Sequence, residues 1–177
     1  MKKTPFIGLA AAALALFGTF ASSSILELSL DEIVTASDEA VYGEIVNRQV
    51  HKVVTEESTD YFTTLTIEGR LVGSKTPITV DVVYGGGFIT EEDGVHNSEA
   101  PSAAETQIGQ TIIAFYGFQA DFPGSGANVL YNMHGGLYRT DVGPAGTVVL
   151  GRGQGYAINR NVSLVNLDGE VSSLKIK

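Results

Sequence analysis

Alternation of side-chain character along two neighbouring segments is the feature that most restricts how this chain can fold. In residues 61–71 (YFTTLTIEGRL), one set of alternate positions holds Leu65 and Ile67, and the other holds threonines, Glu68 and Arg70. Residues 78–84 (ITVDVVY) continue the pattern after a turn at GSKTP. Successive side chains of a β-strand point to opposite faces, so a period of two predicts strands with one face in a core. The two segments are expected to be adjacent strands joined by that turn.

Further strands are predicted on both sides of this pair. Residues 40–54 (AVYGEIVNRQVHKVV) are rich in β-branched side chains, and Gly43 marks a bend or a close approach of two backbones. The apolar run QTIIAFYG, residues 110–117, suits a strand buried on both faces. NVLYNM, GLYRTD and TVVLG are shorter strands separated by glycine-rich turns. This pattern predicts an all-β fold, a single antiparallel barrel or sandwich, rather than β-α-β units.

Helices are predicted only near the ends of the domain. Ser29, followed three residues later by Glu32, forms a capping box that begins a helix at about residues 30–37. The last sixteen residues admit two readings. Asp168-Gly169 is a favoured two-residue hairpin turn, whereas Leu164, Leu167, Val171 and Leu174 recur at helical spacing. The spacing slightly favours a short terminal helix, and the hairpin stays open as the alternative.

The order of these segments resembles that in a group of small exported bacterial proteins of unassigned function. Four stretches carry the resemblance: LDEIVTASDEAVYGEIV, TTLTIEGRLVGSKTPITVDVVYGGG, APSAAETQIGQTIIAFY and GGLYRT. The resemblance implies an OB-like β-barrel and transfers no catalytic residue.

The first twenty-one residues have the features of a secretory signal peptide. Lys2 and Lys3 precede an apolar run at residues 6–20, and small residues follow it. Cleavage is expected after Ala21, or a few residues later, although an uncleaved anchor is the alternative. We therefore predict a signal peptide over residues 1–21, a single β-barrel domain over residues 22–177 with no transmembrane span, and export to a periplasmic or extracellular location.

Charge and cysteine content narrow the function further. The chain has no cysteine, so neither disulfides nor a lipid-modified cysteine can contribute. Loss of Lys2 and Lys3 with the signal takes the net charge from −9 to −11, so the domain is acidic. Nucleic acid is not an expected partner, because phosphate backbones are bound by clustered basic side chains. Those of this chain are scattered singly, at Arg48, Lys52, Arg70, Lys75, Arg139, Arg152 and Arg160.

Residues 85–101 are predicted to form a loop longer than an ordinary hairpin connection, a length typical of functional or mobile segments. The carboxylates of Glu91, Glu92, Asp93 and Glu99 are the candidate ligands for calcium, with the Asn97 side chain completing the shell. His96 is a further candidate ligand for a metal of unspecified kind. The spacing of these residues does not match a known calcium loop. A solvated loop at the barrel rim, without a cofactor, is the preferred interpretation. Phe88 and Ile89 are expected to anchor one end of it in the core.

Catalytic signatures are absent from the sequence. There is no Gly-x-Ser-x-Gly elbow, no His-Glu-x-x-His motif and no phosphate-binding loop. Tyr131, Tyr138 and Tyr156 are candidate stacking residues for a glycan, although core packing is the preferred reading of each. We therefore expect a non-catalytic interaction module whose partner is an unknown envelope protein or a glycan. The alternative is a metal-dependent hydrolase or a glycan-binding domain with its site around residues 85–101.

Overall fold

Strands account for 48% of the residues that the structure describes, and two short α-helices flank them. The structure is a computed structural model describing residues 28–123 and 126–176, so the predicted signal peptide lies outside the described residues. The strands are β1 (Glu39–Val54), β2 (Thr59–Leu71), β3 (Pro77–Gly85), β4 (Gly87–Thr90), β5 (Asp93–Val95), β6 (Thr111–Gln119), β7 (Ala127–Leu130), β8 (Leu137–Gly143), β9 (Gly146–Val149) and β10 (Val162–Ser163). The α-helices are α1 (Leu30–Ala36) and α2 (Leu164–Lys175), and a 3-10 turn covers Met133–Gly136.

Five of these strands close into a barrel in the order β1-β2-β3-β7-β6, because β1 pairs with both β2 and β6. The predicted purely antiparallel arrangement is wrong for one pair, since β3 and β7 run parallel and meet at Val83 and Val129. A ring of five strands cannot alternate in direction all the way round, because an odd number leaves at least one parallel pair of neighbours. The barrel is therefore mixed.

Two hydrophobic clusters lie on opposite faces of β6. Its residues Ile112, Ala114 and Tyr116 point into the barrel with the inward residues of β2 and β3. Ile113 and Phe115 point outward into a second cluster under α1, α2 and β9. All five are buried, which confirms the prediction of a strand covered on both faces.

Both helices follow the sequence signals. The Ser29 hydroxyl accepts the backbone N–H of Glu32, and the Glu32 carboxylate accepts the N–H of Ser29, so the capping box is complete. The C-terminal segment is the helix and not the hairpin, with Leu164, Leu167 and Val171 buried on one face. None of the helices in the described ranges has the length and hydrophobicity needed to cross a bilayer.

A close crossing of β1 and β2 occurs at Gly43. This residue lies opposite Gly69, and a Cβ added to it would stand 2.4 Å from the carbonyl oxygen of Glu68. The prediction of a close backbone approach at Gly43 is confirmed. A side chain at either glycine would force the two strands apart.

A β-bulge at Val46 changes which residues of β1 face the barrel interior. Ile45 pairs with Ile67, but Asn47 pairs with the next residue along, Thr66, so Val46 has no partner. A shift of one residue moves every later side chain to the other face. Beyond the bulge, Arg48 and Val50 therefore share the interior face, and Asn47, Gln49 and His51 face outward.

Candidate functional site

The glycine-rich segment expected to be a loop folds into a hairpin of β4 and β5 over one end of the barrel. Gly87 has a φ of +133°, and a Cβ there would lie 2.4 Å from the Thr63 hydroxyl and 3.1 Å from Val50. The same hydroxyl donates to the carbonyl of Gly86 at 2.7 Å. The run of glycines thus lets this backbone lie directly on β1 and β2.

Asp93 fixes the hairpin to the barrel. Its carboxylate lies 2.6 Å from the Lys52 ammonium and accepts a hydrogen bond from the Tyr61 hydroxyl. The hydrogen bond from Lys52, followed by that from Tyr61, lowers the pKa of Asp93. The hydrogen bond with Asp93, followed by the interaction with Tyr61, raises the pKa of Lys52. Asp93 is thus a structural anchor between positions 41 residues apart.

Phe88 and Ile89 do not anchor the hairpin in the core. Their exposed fractions are 47% and 49%, so that expectation is wrong. The hairpin is held to the barrel by Asp93 and by its glycines, which pack against β1 and β2. The two apolar side chains therefore stay at the surface. Phe88 instead lines a cavity between the hairpin and the segment 96–103.

The six candidate metal ligands are dispersed. Glu91 and Glu92 are exposed in the hairpin turn, while Asp93 is engaged as above. The Asn97 side chain donates to the Gly85 carbonyl at 3.2 Å and accepts the backbone N–H of Glu99 at 3.0 Å. His96 and Glu99 are exposed. Across residues 28–123 and 126–176, no group of three or more His, Asp or Glu able to hold a metal comes together.

The three candidate tyrosines occupy different environments. Tyr138 is fully buried with its ring edge-on to Phe115, so neither face of the ring is open to a ligand. Tyr131 and Tyr156 are partly buried against the same cluster. The Tyr156 hydroxyl lies 2.9 Å from His134 Nε2, and His134 Nδ1 donates to the Glu99 carbonyl at 2.7 Å. These contacts tie the end of the 85–101 segment to the chain beyond β9.

A cavity of about 500 Å³ lies between the hairpin, the segment 96–103 and Arg48 of β1. We call it the mouth cavity, and we define it by Arg48, Tyr84, Phe88, His96, Pro101 and Ala103. It is predominantly apolar, and Arg48 is the one side chain in its lining with a permanent charge.

A second concave surface, of about 430 Å³, runs across the outside of the barrel. We call it the outer groove, and its lining includes Asn47, Gln49, His51, Thr64, Thr66, Asp81, Val83, Phe118 and Asn128. Asp81 is its one carboxylate and accepts the Thr66 hydroxyl at 2.7 Å. Phe118, which lies at one edge of the groove, is 59% exposed. No lysine or arginine lines it.

Sequence reasoning missed both concave surfaces. The sequence does contain a pattern that indicates the outer groove. Alternate positions of β1 carry amide and imidazole groups, and alternate positions of β2 carry threonines. The pairing that places these sets side by side depends on the bulge at Val46.

Comparison of the chain with known protein families, with curated proteins and with solved structures finds no match. The small β-barrel is shown, whereas membership of an exported bacterial group stays an interpretation of the sequence. Function is therefore argued from the two concave surfaces.

Proposed function

We propose that this protein is an exported, non-catalytic interaction module with an OB-like barrel, and that its outer groove binds an uncharged, hydroxyl-rich chain such as a glycan. Numbered within the barrel alone, the strands follow the order 1-2-3-5-4 and close back on 1. This is the order of five-stranded OB barrels, which bind oligosaccharides and oligonucleotides across the face of their second and third strands.

The position and chemistry of the outer groove carry the proposal. It crosses β1, β2 and β3, and its far side is formed by Phe118 of β6 and Asn128 of β7. Amide and hydroxyl side chains both donate and accept hydrogen bonds, which matches the hydroxyl groups of a sugar. A nucleic acid is disfavoured there, because its phosphates would meet no lysine or arginine in the groove of an acidic protein.

Export and the absence of catalysis, the two other parts of the proposal, are supported by separate observations. Export depends on Lys2, Lys3 and the apolar run that follows them. The absence of catalysis is proposed because the sequence holds no known catalytic motif. No observation in the described residues favours the metal-dependent hydrolase, whose candidate ligands are dispersed.

Nuclear magnetic resonance titration of the isotope-labelled domain with neutral cello-, malto- and chito-oligosaccharides tests the groove. We expect shift changes at the amides of Gln49, Thr64 and Asn128, and binding weakened by about 2- to 10-fold after Phe118→Ala, because a stacked ring contributes roughly 0.5–1.5 kcal/mol. Val142→Ala is the matched control, since this exposed side chain lies on β8, outside the groove. Binding that maps elsewhere, or no saturable shift with any of these sugars, would refute the proposed glycan specificity.

A further inference from the structure

The direction of the Arg48 side chain follows from the register of β1 and β2. Arg48 lies directly opposite Leu65, which is fully buried in the barrel core. Residues opposite each other in an antiparallel pair project from the same face of the sheet. The guanidinium group therefore extends into the end of the barrel, where it meets the mouth cavity.

Arg48 has no charged partner among the described residues. Its Nε atom is buried and has no hydrogen-bond partner. The other two partly buried arginines each bind a carboxylate, Arg70 that of Asp168 and Arg152 that of Glu105. A guanidinium group stays charged in proteins, and an unpaired buried donor costs free energy. A charged guanidinium group with an unpaired buried donor is suited to bind an anionic group of a ligand.

The rest of the mouth cavity defines the kind of ligand that Arg48 would receive. Its volume of about 500 Å³ lies within the range typical of small-molecule sites. The walls are mainly apolar, with contributions from Tyr84, Phe88 and Pro101, and no carboxylate in the lining would repel an anion. A suitable ligand therefore combines one negative charge with an apolar body.

We propose that the mouth cavity binds a small organic monocarboxylate, with its carboxylate on Arg48 and its apolar body between the hairpin and the segment 96–103. The planar fork of arginine fits the two oxygens of a carboxylate. A phosphate monoester offers similar oxygens but carries more charge, which a single cation in a chain of net charge −9 would balance poorly. This site is separate from the outer groove, because the two use opposite faces of β1.

Isothermal titration calorimetry with benzoate, hexanoate and octanoate tests this site, with the corresponding amides as uncharged probes. We expect at least one acid to bind with one-to-one stoichiometry and about 10- to 100-fold more tightly than its amide, which is the range expected for losing charge-assisted hydrogen bonds. Arg48→Met should weaken binding of the acid about 10- to 100-fold while leaving the far-ultraviolet circular dichroism spectrum unchanged. Arg139→Met, at an exposed arginine on β8, is the matched control and should bind as the wild type does.

A second variant keeps the test decisive if Arg48→Met does not fold. Ala103→Phe fills the cavity from its exposed rim with Arg48 intact, and it should weaken binding of the same acid at least tenfold. The proposal is overturned if none of the acids binds, if the amides bind equally well, or if Ala103→Phe and any folded Arg48→Met retain wild-type affinity. Octyl phosphate binding more tightly than octanoate would overturn the assignment to carboxylates. None of these results depends on sugar binding in the outer groove.

Discussion

Replacement of Asp168 by asparagine is expected to lower the free energy of unfolding by about 2–3 kcal/mol. The Asp168 carboxylate accepts two hydrogen bonds from the guanidinium of Arg70, both at 2.8 Å, and one from the N–H of Gly73 at 3.0 Å. This pair attaches α2 to the barrel across 98 positions of sequence. Removing one member of a fully buried pair costs roughly 3–5 kcal/mol. Arg70 keeps 24% of its side chain exposed and lies over the ring of Tyr42, so the abandoned charge is partly solvated and the expected loss is smaller.

Urea unfolding followed by far-ultraviolet circular dichroism measures this loss, since the chain has no tryptophan to serve as a fluorescent probe. Glu170→Gln, at an exposed carboxylate on the same helix, is the matched control and should stay within about 0.5 kcal/mol of the wild type. Arg70→Met completes a double-mutant cycle, in which the effects of the two single variants should not add. An Asp168→Asn variant as stable as the control, or a fully additive cycle, would refute a stabilising role for the pair.

Three further results are expected. Gly169→Ala should raise the free energy of unfolding by about 0.5–1 kcal/mol, because the added Cβ meets no atom within 4 Å in the interior of α2. Gly43→Ala should lower it by more than about 2 kcal/mol, because its Cβ would collide with the Glu68 carbonyl. Urea midpoints check both changes: a Gly169→Ala midpoint at or below that of the wild type would contradict the first expectation, and a Gly43→Ala midpoint equal to that of the wild type would contradict the second. Burial acts to raise the pKa of Asp168, but hydrogen bonds from Arg70 and Gly73 outweigh it, so the folded-state pKa lies below the ordinary value of 3.8. The stability that Asp168 contributes is fully present above the ordinary pKa and is lost as the pH falls through the folded-state pKa. Between these two pKa values the wild type should therefore lose free energy of unfolding more steeply than Asp168→Asn does.

Local sequence patterns predicted the elements whose determinants lie close together in the chain. The capping box at Ser29 sets the start of α1, and alternation around Leu65 gives the inward face of β2. In α2, helical spacing prevailed over the turn preference of Asp168-Gly169, because burial of Leu167 and the contact of Asp168 with Arg70 favour the helix.

Features that depend on distant partners were not predictable in the same way. The hairpin of β4 and β5 contacts the barrel through the ion pair of Asp93 with Lys52, and no pattern within either segment indicates this contact. The bulge at Val46 depends on how β1 pairs with β2, and it reverses the facing of every later residue in β1. In the sequence, Arg48 is one of several basic residues scattered singly, and nothing close to it in the chain indicates that its side chain faces the barrel interior. The mouth cavity follows from these two long-range features together.

The barrel should open more easily between β3 and β7, its parallel pair, than between any other two neighbouring strands. Longer ladders join the other neighbouring barrel strands, whereas here Val83 and Val129 form a single pair, supplemented by the Asn128 side chain on the Asp81 carbonyl. Opening that breaks few hydrogen bonds costs much less than global unfolding. Thermal fluctuations should therefore part the barrel along this line first, and amide hydrogen exchange should be fastest there among the barrel strands. The outer groove is lined on both sides of this line, by Asp81 and Val83 on β3 and by Asn128 on β7, so opening there would widen the groove while the sheet of β1, β2 and β3 stays intact.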